Sequence, residues 1–553
     1  MTSPTFNLVD RPWIEVVGLD GRVSLASLEE VFAEAQHLRC LGGDLPTQTF
    51  AILRLLLAIL YRSLRGPQDQ RAWETLWHAE ALPMDTIRAY LGEHRERFDL
   101  FHPVTPFYQV AQLQSASGEV FGLDRIIADV PNGAPYLTSR IGPGLSRLSP
   151  AEAARWLVHC HAFDVSGIKT GAVGDSRVKN GKVYPQGTGA CGSYGGLYLE
   201  GCTLRETLLL NLIPYDTPYL DLPEEGPGER PPWERPPSSV GDDEPPRSRI
   251  GVLTWQTRRV RLIGDEGGVT HVLVCYGDRF DPENAFSVEP MTAWRRSPTR
   301  EKAAKRTVYV PRAHDPSKAL WRGLDALLPQ RRQGGGAEAA TVRPPAVAEW
   351  LAQLVTDEVV PWNYPVWTHA VGVAYGTQYA VIDQIYDDRL ALPAEVFRAE
   401  ELRTAIVGAA TDAEAAARAV GNLGRDIARA AGGSGDAASA ASARAEEQAL
   451  SLLDREFRQW LAELPSADRA DARADWQRRA RRAVERLARS LVDDAGPTAW
   501  IGRETEDGRY LTTALAELWF RRALWKALPL AVDEPSQATE HQGQVQDHEE
   551  VTA

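Results

Sequence analysis

Two textures of apolar and polar positions follow one another along the chain. Near the start, Trp13, Ile14, Val16 and Val17 form an apolar run into Gly18-Leu19-Asp20-Gly21, the pattern of a hairpin strand and its turn. Ser27 and Glu30, three apart and ahead of Val31 and Phe32, make a capping box that opens a helix. Asp44-Leu45-Pro46-Thr47 opens a second helix running to about Arg62. It is hydrophobic on most faces, which predicts a central position. A third covers residues 70–82 and stops at Pro83. From Phe101 to about Pro345 glycine and proline become frequent, and Val252–Leu262 and Val272–Tyr276 alternate as strands do.

Beyond Ala348 the pattern turns helical to the end, with helices expected over Ala394–Ala431, Ala440–Leu464, Ala467–Val492 and Arg509–Leu528. Leu511, Leu515, Leu518 and Trp525 fall along one face of the last. Breaks at Gly432-Gly433-Ser434-Gly435 and Leu464-Pro465-Ser466 suit an up-down bundle. The expected fold class is α+β. A mixed α/β N-terminal domain (1–347) is followed by an all-α C-terminal four-helix bundle (348–531) and an acidic, disordered tail (532–553).

Composition bounds this picture. The chain has 553 residues, 43% hydrophobic and 25% charged, enough for several domains and a large core. The 5 cysteines form no CxxC pair, which argues for a reducing compartment and against a structural zinc module. No secretory signal precedes Asp10 and Arg11, and the apolar run Phe50–Tyr61 contains Arg54 and falls short of the roughly 20 residues that cross a bilayer. A cytoplasmic protein with no membrane contact is expected.

The net charge of −14 argues against a nucleic-acid partner until its distribution is considered. The Pro-rich, flexible loop at 221–249 and the tail hold most of the excess acid. The tail alone carries Asp533, Glu534, Glu540, Asp547, Glu549 and Glu550 with no Lys or Arg. Elsewhere arginines cluster at 258–261, at 295–306 and at 473–489. Such runs are usually solvated faces, but they permit a polyanion.

Enzyme motifs do not assemble. Gly187-Thr188-Gly189-Ala190-Cys191-Gly192 matches GxGxxG, yet strand-like Leu197-Tyr198-Leu199 follows where a dinucleotide site needs a helix. Gly181-Lys182 has Val183 where a P-loop needs Ser or Thr. His159 and His161, two apart, do not share a helix face and suit no metal. No catalytic residue, metal ligand or cofactor is expected. The alternatives are a nucleotide-dependent or nuclease enzyme using the Gly-rich loop, or a scaffold protein.

Several segments together resemble one family. They are Phe6-Asn7-Leu8-Val9-Asp10-Arg11-Pro12-Trp13-Ile14, Gly43-Asp44-Leu45-Pro46, Phe101-His102-Pro103 with Pro106-Phe107-Tyr108-Gln109, Leu204 to Leu212, Leu253-Thr254-Trp255-Gln256, and Gly372 to Tyr386. In this order they resemble the large subunit of the type I-E CRISPR surveillance complex, the CasA family of Cascade. The resemblance implies a non-catalytic DNA-recognition subunit that works beside other Cascade subunits and the CRISPR guide RNA. It inspects double-stranded target DNA for a protospacer-adjacent motif, helps open the duplex, and recruits a helicase–nuclease effector. Reading beyond the motif falls to the guide.

Residue by residue, the resemblance implies a glycine loop at the minor groove, with Gly187, Gly189, Gly192, Gly195 and Gly196 as candidates. That groove is about 6 Å wide, and missing side chains let backbone approach base edges. Arg279 stands where the family has a lysine finger. Arg295 and Arg296 are rivals for that role and, with Arg478 and Arg482, candidates for backbone contacts. Gly376, Thr377 and Gln378 match a strand-separating wedge. Tyr136 and Leu137 match a loop that touches guide RNA.

Overall fold

The computed structural model describes residues 5–130, 138, 140, 145–220, 230–237, 240–241, 246, 248–265, 267–329, 341–464, 471–505 and 508–531. Tyr136, Leu137, most of the acidic loop and the tail lie outside them. The chain packs as two units, Met1–Arg403 and Thr404–Ala553.

In the first unit, β1 (Ile14–Gly18) lies between β2 (Val23–Ala26) and β3 (Leu38–Leu41) in an antiparallel sheet. The Ser27–Glu30 capping box opens α1 (Leu28–Ala33). The core helix is α2 (Pro46–Leu64), with Pro46 at its first turn. By length and composition it could cross a membrane, but it is buried among α4, α5 and α7, defined below. Its buried charge, Arg54, is neutralised by Glu289 at 2.8 Å. α3 (Gln70–His78) ends four residues before the expected Leu82, and α4 (Met84–Glu93) follows Pro83. Ser149 caps α5 (Pro150–Phe163).

Two short strands, β4 (Lys169–Thr170) and β5 (Lys182–Val183), pair next, followed by β6 (Gly196–Glu200) and α6 (Leu204–Leu210). The segment expected as one strand over Val252–Leu262 is divided. Ser248 caps the short helix α7 (Arg249–Leu253), and extended backbone resumes only at β7 (Arg258–Asp265), which pairs with β8 (Gly268–Tyr276). β9 (Trp294–Arg296), α8 (Pro298–Ala304), β10 (Tyr309–Pro311), α9 (Leu324–Leu327) and β11 (Val342–Arg343) follow, the strands ordered β10-β9-β11.

After α10 (Ala346–Thr356) comes a long hairpin, β12 (Pro365–Tyr375) and β13 (Ile382–Pro393), whose β12 pairs with β6 (Trp367 opposite Glu200). This pairing explains why residues 348–403 pack with the first unit, past the expected 347/348 boundary. It also corrects the reading of a helical pattern from Ala348 onward.

The second unit is helical: α11 (Glu400–Ala431), α12 (Gly435–Glu463), α13 (Ala472–Asp493), the short α14 (Pro497–Ile501), a two-residue hairpin of β14 (Arg503–Glu504) and β15 (Tyr510–Leu511), and α15 (Thr513–Ala527). Ser434 caps α12, so Gly435 belongs to the helix rather than to the break. Small residues let α11 approach α12: a Cβ on Gly424 would lie 2.8 Å from that of Ala445. Phe457 and Trp460 pack on Trp476, with centroids at 4.9 and 5.5 Å. Asp412 of α11 accepts from Arg473 at 2.9 Å and from Gln477 at 2.7 Å of α13. These contacts hold α11–α13 together as a bundle, in an α+β protein as expected.

Candidate nucleic-acid interface

The glycine loop is built on the end of α5. A helix leaves its last carbonyls without intrahelical partners. Here the amides of Gly189, Ala190 and Cys191 donate to Asp164, His161 and Ala162, at 2.8, 3.0 and 2.7 Å. Those amides serve the helix end, so the loop is a cap as well as a surface.

The five candidate glycines divide accordingly. A Cβ at Gly189 would collide with the Ala162–Phe163 peptide, one at Gly195 with the Arg312 carbonyl, and one at Gly196 would meet Phe50 at 2.9 Å. At Gly192 it would stand 2.7 Å from the Tyr375 hydroxyl. These four are buried and shape the loop. Gly187 differs: it is exposed, its φ is +112, and nothing lies within 4 Å of a Cβ placed there.

Arg258 and Arg259, read from the sequence as a basic cluster, are buried at 1% and 3% exposure and do not face solvent. Successive residues of a strand point to opposite faces. Arg258 pairs with Asp164, donates to the Val165 carbonyl at 3.1 Å and the Gly187 carbonyl at 3.0 Å, and stacks 4.7 Å from the Tyr276 ring. Burial alone would raise the Asp164 carboxyl, but Lys169 at 2.7 Å and Arg258 hold it below the usual range. Arg259 donates to Asp278 at 2.7 Å and to the Val240 carbonyl at 2.9 Å. One strand therefore fixes the exposed glycine through one arginine and the residue before Arg279 through the next.

Arg279 is exposed, and among the described residues no ion pair or hydrogen bond holds it. Its neighbour Phe280 packs on Tyr194 of the glycine loop. Trp294, beside Arg295, approaches the same ring at 6.4 Å, and the Arg54 guanidinium lies 5.8 Å from it. Arg295 is exposed, whereas Arg296 is held by Glu301 at 2.7 Å.

The wedge candidate caps the β12–β13 hairpin. Gly376 donates to Val381 at 3.0 Å and accepts from Tyr379 at 2.9 Å, closing the turn. Gln378 and Tyr379 both adopt φ of +57, an uncommon conformation for non-glycine residues that marks a constrained tip. Thr377, Gln378 and Tyr379 are exposed. At the foot, Tyr375 donates to the Phe163 carbonyl at 2.8 Å, against Gly192.

Glycine loop, Arg279 turn and hairpin are thus brought together around Tyr194 and the end of α5. Arg478 and Arg482 are elsewhere, on α13 of the second unit. Arg482 is exposed, and Arg478 lies 3.9 Å from Asp475. Sequence reasoning missed Tyr194 as the hub and Tyr379, 62% exposed, as an aromatic on the tip. An aromatic directly after Gly376-Thr377-Gln378 was the signal for the second.

Burial pushes His159 down to about 4 and His161 to about 3. Both are neutral core residues, bonded to Thr47 at 2.9 Å and to the Tyr108 carbonyl at 3.0 Å. No group of three or more His, Cys, Asp or Glu among the described residues is placed to hold a metal ion.

In the first unit the exposed Arg279, the exposed Gly187 and a tip bearing Tyr379 are thus carried by one α+β support. Residues 7–487 match the family model for CRISPR-associated protein Cse1, and the chain belongs to that family. It is 34% identical over 346 residues to the CRISPR-associated protein CasA/Cse1 of Thermus thermophilus. That alignment covers 61% of this chain and 62% of the length of that curated relative. Its fold matches the crystal structure of Thermobifida fusca Cse1 with a TM-score of 0.87 and 45% identity, over 96% of this chain and 99% of that one. A chain from a CRISPR RNA-guided surveillance complex shares the fold at a TM-score of 0.59 and 20% identity, over 88% of this chain and 99% of that one.

Proposed function

We propose that this chain is the large, non-catalytic subunit of a type I-E Cascade surveillance complex in the cytoplasm. It works with the other Cascade subunits and the CRISPR guide RNA. It inspects double-stranded target DNA for the protospacer-adjacent motif through the minor groove, helps open the duplex, and recruits a helicase–nuclease effector. Family membership supports the assembly. The division of labour between Arg258 and Arg259, which fixes Gly187 and the Arg279 turn from one strand, is the observation that carries the reading.

In this reading Gly187 brings bare backbone to the groove floor, while Gly189, Gly192, Gly195 and Gly196 set the loop's shape. Arg279 offers cationic donors to the A N3 and T O2 acceptors, which are shared by both orientations of an A·T pair. The preference is therefore for a set of motifs rather than one. Gly376, Thr377 and Gln378 enter beneath the motif as the wedge, with Tyr379 available to stack on a freed base. Arg295, Arg296, Arg478 and Arg482 hold phosphates, and each phosphate neutralised steepens the log–log salt dependence by about 0.9. Tyr136 and Leu137 meet the guide RNA.

The test is a motif-library binding assay on the assembled, guide-loaded complex. Enrichment of a small set of related motifs, lost when Arg279 is replaced, is the expected result. Equal binding to every library member would reject the reading.

A further inference from the structure

The hairpin that carries the wedge also forms one wall of a cavity of about 590 Å³. Ala380 and Ile382, immediately past the tip, line it on that side. β4 and β5, the end of β8 at Val274, and the turn at Ile126 and Ile127 line it as well. The volume falls within the roughly 300–1,000 Å³ of small-ligand sites.

Its chemistry is mixed and balanced. Arg125, Lys169 and Lys182 are offset by Glu119, Asp124 and Asp164, so the lining is formally neutral. Asp164 is committed to Lys169 and to Arg258 behind the wall. Ile126, Ile127, Val274 and Ile382 supply apolar surface, and Ser166, Thr170 and Asn180 supply donors and acceptors. A neutral, flat heterocycle with polar edges suits that lining better than a phosphate does. Exposed Lys179 stands before β5 for the backbone that would follow it. The wall nearest the hairpin is kept thin. Gly167 has φ +133, a Cβ there would lie 3.8 Å from that of Ala380, and the Tyr276 hydroxyl fixes its carbonyl at 2.6 Å.

A wedge that parts a base pair leaves a base without its stack, at a cost of a few kcal/mol unless the protein receives it. We propose that this cavity receives a base extruded from the first pairs beside the motif, so that the hairpin parts the strands and the pocket beside its foot retains one of the freed bases. This inference rests on the recognition reading above and adds to it a binding site for a single nucleobase.

The test uses the assembled, guide-loaded complex and two cavity-filling variants, Thr170→Trp and Lys182→Trp, at positions that face each other across β4 and β5. Lys182 is exposed, so its variant decides the matter if Thr170→Trp does not fold. Targets are intact, or carry one abasic site at each of the first three positions beside the motif on either strand. Strand opening is followed by permanganate reactivity. Filling the cavity should slow opening of intact target by about tenfold, matching the loss of a base's stacking partner, and by less than about twofold when the received base has been removed. An equal penalty on intact and abasic targets, or none on either, overturns the pocket. Wild-type complex and Gln378→Ala run in parallel keep the two readings apart. Opening that depends on motif and wedge but ignores the fillings overturns the pocket alone. Wild-type opening that ignores the motif overturns both.

Discussion

The ring of Tyr194 meets that of Phe280 edge to face, with centroids 6.0 Å apart and planes at 82°. This contact joins the glycine loop to the turn that bears Arg279. An edge-to-face aromatic pair contributes about 0.5–1.5 kcal/mol beyond its buried area, enough to hold an exposed turn in one conformation.

Arg279→Ala should therefore weaken binding of motif-bearing duplex by about 1–3 kcal/mol while changing binding to scrambled duplex little. Phe280→Ala should reproduce part of that loss, because the cation remains but its turn is freed. Titration of the assembled complex with both duplexes measures the difference. Equal losses on the two duplexes would make Arg279 a phosphate contact.

Replacing glycines should separate shape from surface. Gly189→Ala places a methyl group against the Ala162–Phe163 peptide, and thermal unfolding should show a loss of about 3 kcal/mol or more. Gly187→Ala meets open space but keeps φ at +112, a strain of about 1–3 kcal/mol. It should melt closer to the wild type than Gly189→Ala, yet bind motif-bearing duplex more weakly.

At the proposed wedge, Gln378→Ala should leave binding of closed duplex within about twofold and slow strand opening by about tenfold, since in that reading only the parting step uses the side chain. Gln378→Gly should lose opening in the same way but melt slightly higher, because glycine adopts φ of +57 without cost. Normal permanganate reactivity in either variant would remove Gln378 from the wedge.

The hairpin should also respond to pH. His369 on β12 meets Asp387 of β13 at 2.6 Å, Tyr198 of β6 at 2.5 Å and Glu200 at 3.7 Å. Burial disfavours its charge, but the hydrogen bonds and charges of Asp387 and Glu200 outweigh burial and raise its pKa. A raised folded value means that the stabilisation is complete below the ordinary value of about 6.5 and is lost as pH rises through the folded one. Wild-type protein should therefore gain stability from pH 8.5 to pH 6 relative to His369→Gln, as read by paired melting curves.

The sequence made the helices legible where their signals were local. The Ser27–Glu30 box, the Pro46 start and the four long C-terminal helices all stand close to where their residues put them. The β12–β13 hairpin was legible at its tip, through Gly376 to Gln378, but not along its length. Its β12 strand pairs with β6, more than 160 residues earlier, and no local pattern reports that. The same reason hid the roles of Arg258 and Arg259. An arginine pair looks solvated until Asp164 and Asp278 are brought beside it by the fold. The glycine run misled in another way, since a glycine needed for packing and a glycine needed for contact have the same letter.

Because neighbouring positions of β7 serve opposite faces, the strand works as a fixed gauge between the two loops it anchors. On the proposed reading, substitutions at Arg279 or around Gly187 would retune which bases are preferred without altering the gap between the two loops. A single inserted or deleted residue ahead of Arg258 would exchange the faces and misalign both at once. On the proposed reading, a change of motif preference would come from point changes at the loop tips, with the length of this strand kept.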